Sequence, residues 1–260
     1  MSFNFITGNN FKQKSHYYLD EFGFGIIKKP AKDEIIIFFV KTDYIDVFFN
    51  RYKPNTNFIL ITHNSDYHIT KNHLNYLNDD FLVKWFAQNV DVNHPKLFSI
   101  PIGIANEKWP HGDVKILENV INENIKKNKL IYSNFNIHTN INERSHCLNH
   151  ITKNGVTMSK PKNFESYLRE LSESYFVISP NGNGVDCHKT WESLYLKTIP
   201  IVTESININF YKNLPILIIS DWSKFNINEL NEETYNKIWG DFDPKTLNLN
   251  KFINGKFLYS

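Results

Sequence analysis

Short apolar runs rich in β-branched and aromatic residues alternate along the chain with polar turns and helix-like stretches, the order expected of parallel strands joined by crossover helices. Two series of such units can be read. In the first, residues 34–40, 57–62 and 97–101 read as strands, and the spacing predicts a helix over 79–89. A loop through Pro101, Gly103 and Trp109-Pro110-His111-Gly112 then opens a helix predicted over 113–128. In the second series, strands are predicted over 129–135, 175–179, 199–203 and 216–220. Helices are predicted from near Asn142 and over 189–197, with a charged tail helix over 227–239. The polar, Lys-rich stretch 124–128 divides the chain into halves 1–126 and 127–260. Neither half carries a periodic repeat or a low-complexity tract. Two α/β halves facing each other make a cleft for a large polar ligand, because open parallel sheets bind ligands beyond the carboxyl ends of their strands.

Composition narrows this picture in three ways. With 260 residues and 41% hydrophobic content the chain buries a substantial core and belongs with globular rather than disordered proteins. Lys and Arg number 29 against 27 Asp and Glu, so no general grip on nucleic acid is implied and any phosphate recognition must be local. The two cysteines, Cys147 and Cys187, form no disulfide framework, and reduced thiols are the expectation. The first residues lack a signal-peptide pattern, and the longest apolar run, 35–40, is strand-sized, so the expected location is cytoplasmic, with no membrane span.

The chemistry concentrates after the strand at 175–179. Ser179-Pro180-Asn181-Gly182-Asn183-Gly184-Val185-Asp186-Cys187-His188 is a glycine-rich strand-to-helix loop. Gly182 and Gly184 are expected to take conformations other residues avoid and to let amide groups approach a ligand. The helix that follows points its N-terminus, a favourable place for phosphate, at the same spot. A tight turn with a capped helix gives the same string, and Asp186 has two open roles, ligand-facing carboxylate or helix cap.

The segment 179–192, followed by Ile199-Pro200-Ile201-Val202, resembles the donor site of exostosin-like glycosyltransferases, where a Ser-Pro-x-Gly-x-Gly loop and a Trp-Glu helix precede such a strand. Residues 60–67, 84–89, 100–103, Trp109 and His111-Gly112 resemble the acceptor-side half of the same broad group, which includes xylosyltransferase-like members. The resemblance covers most of 57–203, unevenly. It implies a GT-B-like fold, two facing Rossmann-like domains with the nucleotide sugar held mainly by the C-terminal one. The reaction implied is transfer of a sugar from a nucleotide-sugar donor to a glycan or glycoconjugate acceptor, with no cofactor beyond that donor.

Within this reading Ser179, Pro180, Asn181, Gly182, Asn183, Gly184 and Asp186 form the donor loop. Glu192 is placed to accept hydrogen bonds from ribose hydroxyls, as acidic residues do in dinucleotide folds, or is a solvated helix glutamate. Arg144 is a diphosphate clamp or an ordinary surface charge. Asp66, just past a strand end, is the first candidate for the base that deprotonates the acceptor, and His63 the second; the commoner fate of both types there is a backbone-bonded loop residue. His188 either neutralises the leaving group or holds the loop. Retaining GT-B enzymes often carry two glutamates eight positions apart, and here Gly184 stands where the first would be, which leans the expectation toward inversion.

Other chemistries are weaker matches. Asp241-Phe242-Asp243 has the spelling of a metal-binding Asp-x-Asp motif but no strand before it. His146, Cys147 and His150 have helical spacing for a zinc site without an evident fourth ligand, so metal independence is expected. No Gly-x-Ser-x-Gly elbow or P-loop is present. The alternatives carried are a noncatalytic carbohydrate- or nucleotide-binding module on the same fold, and an interaction protein on a generic α/β scaffold.

Overall fold

A computed structural model describes residues 4–253; residues 1–3 and 254–260, the outer ends of the two expected halves, lie outside the described residues. Ten strands form two sheets among them. The first contains β1 (Tyr17–Asp20), β2 (Gly23–Ile26), β3 (Ile36–Lys41), β4 (Phe58–His63), β5 (Leu82–Ala87) and β6 (Leu97–Ser99) in the order β2-β1-β3-β4-β5-β6. Only the β1–β2 pair is antiparallel. The second sheet, β7 (Lys129–Ser133), β8 (Ser174–Ile178), β9 (Ile199–Thr203) and β10 (Leu217–Ile219), is parallel throughout in the order β10-β9-β8-β7.

The first sheet is covered on both faces, and its strands divide their side chains accordingly. Phe38 and Val40 of β3 and Phe58 and Leu60 of β4 enter one core, while Phe39 and Ile61 enter the other. The same division overturns the helix expected over 79–89. In β5, Leu82, Trp85 and Ala87 join the first core and Phe86 the second. With apolar side chains on both faces, β5 is apolar except at Lys84 and lacks strict alternation, so periodicity alone does not distinguish it from a helix.

The helices are α1 (Gly8–Gln13), α2 (Ile45–Val47), α3 (Leu74–Leu77), α4 (Val114–Asn122), α5 (Ile141–Lys153), α6 (Phe164–Ser172), α7 (His188–Tyr195), α8 (Ile206–Asn209), α9 (Glu232–Trp239) and α10 (Leu249–Ile253). Side-chain caps set several starts: Asp113 accepts from the Lys115 amide, Asn140 from Glu143 and Asn163 from Ser166. The helix expected over 113–128 ends early, two residues before Asn124, which takes a left-handed φ of 49°. The tail helix begins at Glu232 rather than 227, because Asn231 caps it and 227–229 form a separate 3-10 turn. The β1–β2 hairpin and α6 had no counterpart in the expected elements.

The two sheets divide between β6 and β7, but the core does not divide there. One cluster runs from Phe11, Phe39 and Ile61 beside the first sheet to Leu168, Val177 and Trp191 beside the second, and α4 packs against α6. The loops after β4 and β5 therefore meet the loops after β7 and β8. No helix among the described residues is long and apolar enough to cross a membrane.

Candidate functional site

The loop after β8 turns into α7 beside a cleft of about 1030 Å³, lined from the second sheet by Phe135, Arg144, Tyr167, Lys189 and Glu192 and from the first by Asp66, Ile102 and His111. A smaller chamber of about 340 Å³ adjoins it, and Asp66, Ile102, His111 and His188 line both.

Cys187 precedes α7 without a side-chain cap, and no side chain among the described residues accepts from the N–H groups of His188 and Lys189. Lys189 and Glu192 lie three positions apart on this helix and share a face. Glu192 is 3% exposed, which removes the solvated-glutamate reading. Its Oε2 accepts the Tyr167 hydroxyl at 2.7 Å, and burial pushes its carboxyl up to about 7. Burial lowers the Lys189 ammonium to about 8. That ammonium donates to the Asn134 carbonyl and lies 5.8 Å from the Phe135 ring centroid.

Arg144 is half-buried rather than an ordinary surface charge. Its Nε donates to the Asn181 carbonyl at 2.9 Å and its Nη1 to the Asn136 carbonyl at 2.7 Å, leaving Nη2 without a hydrogen bond among the described residues. The two bonds fix the guanidinium plane at the rim of the cleft, beside Gly182.

Neither Gly182 nor Gly184 has a positive φ, so the expected conformational reason is corrected. Space is the reason instead. A Cβ on Gly184 would lie 2.5 to 2.9 Å from the Asn89 carboxamide, which is fully buried. Asn89 Oδ1 accepts the Asp186 amide at 3.1 Å, and its Nδ2 donates to the Ser65 carbonyl at 3.3 Å. One buried amide thus ties the glycine loop to the Asp66 loop. Replacing Gly184 with alanine is expected to lower stability by about 1–3 kcal/mol, because the amide cannot yield without losing both bonds; a urea melt of the variant, showing an unchanged slope and a lower midpoint, checks it.

Asp186 does not cap α7. Its carboxylate accepts the Ile102 amide at 2.7 Å and the Trp191 indole N–H at 2.8 Å, and burial raises it to about 7. It joins the two sheets. Ser179 is buried and bonds Thr190 at 3.1 Å, and Pro180 accepts from the Cys187 thiol at 3.5 Å. Ser179, Pro180 and Asn181 line neither chamber; they shape the loop that Gly182, Asn183 and Gly184 bring to the cleft.

Across the cleft, Asp66 is exposed and accepts from Asn183 Nδ2 at 3.1 Å. Its loop is held by Gln88, which accepts the Asn64 amide and donates to the Ser65 carbonyl. His63 is not available as a base. Its Nδ1 lies 2.7 Å from the Asn64 amide nitrogen and 3.1 Å from Asn64 Oδ1, and its Nε2 lies 3.0 Å from the Pro101 carbonyl, so both ring nitrogens are already engaged. Burial lowers its pKa to about 4. His188 is likewise held down to about 4 by burial, and its Nδ1 donates to the Gly103 carbonyl at 2.7 Å. It is uncharged at neutral pH and brings no positive charge to the boundary between the chambers.

Lys189, Tyr167, Asn89 and Phe135 were absent from the sequence-derived set. The i, i+3 spacing of Lys189 and Glu192 was a usable signal for the first; Tyr167 and Asn89 reach the site through tertiary packing that no local pattern encodes. Elsewhere, Cys147 points into the core while His146 pairs with Asp221 at 3.1 Å, and Asp243 caps a 3-10 turn outside the cleft. No group of three or more His, Cys, Asp or Glu side chains among the described residues is arranged to hold a metal ion. No protein-family model matches the chain, and no curated protein is significantly similar to it.

Proposed function

We propose that the chain is a glycosyltransferase of GT-B-like arrangement that binds a nucleotide sugar in the larger cleft and an acceptor hydroxyl in the smaller chamber. The observation that carries the reading is the juxtaposition across one cleft: Lys189, the free Nη2 edge of Arg144 and the uncapped start of α7 on one side, Asp66 on the other. The first set suits a diphosphate, and the Tyr167-bound Glu192 suits a ribose hydroxyl. The aromatic faces of Phe135 and Phe164 line the same wall.

In the reaction, the acceptor oxygen bonds the sugar's anomeric carbon as the bond from that carbon to the diphosphate oxygen breaks. The electron pair leaves with the diphosphate, where Lys189 and Arg144 meet the developing charge. The acceptor proton passes to Asp66. Positive charge at the leaving group comes from the chain's own side chains, in line with metal-independent transfer. Inversion is favoured because Asn89 fills the space a carboxylate side chain at 184 would need. A cytoplasmic location and a glycan or glycoconjugate acceptor belong to the same reading.

Thermal stability against a panel of nucleoside diphosphates and nucleotide sugars tests it, since selective binding raises the melting temperature by mass action. A selective shift, absent in Glu192→Ala and followed by turnover of the matching nucleotide sugar, is the expected result. Binding without turnover would leave the noncatalytic module, and no shift from any nucleotide would sink the donor site.

A further inference from the structure

The smaller chamber differs in character from the cleft it adjoins. Its formal charges cancel: Glu21 and Asp66 stand against Lys41 and Lys108. Both lysines face the same carboxylate, at 3.5 and 3.4 Å from Glu21. The three histidines in its wall, His63, His111 and His188, are all held below their ordinary value, chiefly by burial, and add no charge at neutral pH. Two lysines on one carboxylate leave an excess positive charge that only the separate Asp66 balances, so the chamber as a whole offers an anionic ring no net attraction.

The remaining lining combines an aromatic face with neutral polar groups. Trp109 is 52% exposed and lies roughly parallel to His111, with ring centroids 6.3 Å apart and the exposed Lys108 ammonium 5.6 Å from the indole centroid. Asn64 takes a left-handed φ of 60°, and its Oδ1 accepts from Asn106 Nδ2 at 2.9 Å. Its own Nδ2 makes no hydrogen bond among the described residues. A Cβ on Gly8 would fall on the Asn64 carboxamide oxygen, so the glycine leaves room for that side chain. An indole face beside an unused amide donor suits a ring that is apolar on its C–H face and hydroxylated at its edge. At about 340 Å³ the chamber is at the small end of ligand sites, a fit for one or two such rings.

We propose that this chamber binds the acceptor as an uncharged sugar ring stacked on Trp109, its edge hydroxyls read by Asn64 and its reacting hydroxyl directed to Asp66. The inference rests on the transferase reading of the adjoining cleft. It goes further in assigning the acceptor's charge class and the residues that read it.

Trp109 also provides the test. Trp85, Trp191 and Trp222 are fully buried, and Trp239 is partly buried between Tyr235 and Phe242, so an aqueous quencher such as acrylamide reaches Trp109 first. Quenching is measured with the nucleoside diphosphate that raises the melting temperature, against neutral methyl hexosides and methyl N-acetylhexosaminides, the matching hexuronides, sugar phosphates and free nucleosides. A neutral glycoside is expected to shield the indole, and Trp109→Ala, which removes the reporter and is therefore followed by calorimetric titration, to raise that glycoside's half-saturating concentration about tenfold, as loss of an aromatic contact does, with nucleotide affinity unchanged. Asn64→Asp, which adds a charge at nearly constant shape, is expected to weaken the same glycoside while the protein remains folded. Shielding by hexuronides or sugar phosphates at lower concentrations than by neutral glycosides overturns the charge class. Shielding by nucleosides, or by nothing while nucleotide still binds, overturns the chamber's assignment and leaves the donor reading standing. Shielding by a neutral glycoside without any nucleotide binding sinks the transferase reading and keeps a sugar site.

Discussion

Asp66→Asn is expected to lower kcat by about 10²–10⁴-fold, the range for removing a general base, while nucleotide affinity and melting temperature stay near wild type. The separation follows from where the side chain sits. Asp66 is exposed, and the hydrogen bond it accepts from Asn183 Nδ2 is kept by an asparagine oxygen. The loop beneath it is fixed by other groups, Gln88 and Asn89 on the Ser65 carbonyl. Only the proton-accepting capacity is lost. Initial rates with the nucleotide sugar found in the stability screen, together with calorimetric titration of the nucleotide, check both halves. A variant that keeps more than a tenth of wild-type kcat would remove Asp66 from the chemistry and leave His111 and His188, the latter with its Nδ1 already committed to Gly103, as the bases at the boundary.

Lys189→Met is expected to weaken nucleoside diphosphate binding by about 2–4 kcal/mol, or roughly 30- to 1000-fold, as for loss of a desolvated charge partner. The fold should tolerate it. A buried ammonium is costly to keep charged, as its lowering to about 8 indicates, and methionine preserves the stem that packs near Phe135. The same lowering gives wild type a distinctive pH profile. A diphosphate binds the charged ammonium, so affinity holds below about pH 8 and falls about tenfold per unit above it as the proton is lost. Binding raises the ammonium's pKa, so proton uptake accompanies it in this window. Calorimetry across the alkaline range should give a sloping affinity for wild type and a flat one for the methionine variant. An unchanged alkaline slope in the variant would assign the titration to another group and take Lys189 out of the phosphate site.

Several of these features were legible in the chain alone. The strands at 57–62 and 199–203 were readable because β-branched runs end in polar turns, and the glycine loop stood out where such a run met a helix start. The strand at Leu82–Ala87 was not readable, because burial on both faces erases the alternation that marks a strand. The site divided in the same way. Residues contiguous in sequence, from Gly182 to Glu192, could be found from local pattern. His63 looked like a base and is instead a wedge between Asn64 and Pro101, a fate decided by the neighbouring amide together with a carbonyl far along the chain. Asn89, which carries no motif, is recognisable only once Gly184 and Ser65 are seen on either side of it.

On the transferase reading, that buried amide bears on the order in which substrates are taken up. Asn89 holds the Ser65 carbonyl with one end and the Asp186 amide with the other, and Gly184 lies against it. A displacement of the glycine loop by an entering nucleotide would therefore reach the peptide carrying Asp66 through a link two hydrogen bonds long. In kinetic terms, a compulsory order of addition, nucleotide first, is the pattern such a link produces, with the second substrate meeting a base already set by the first.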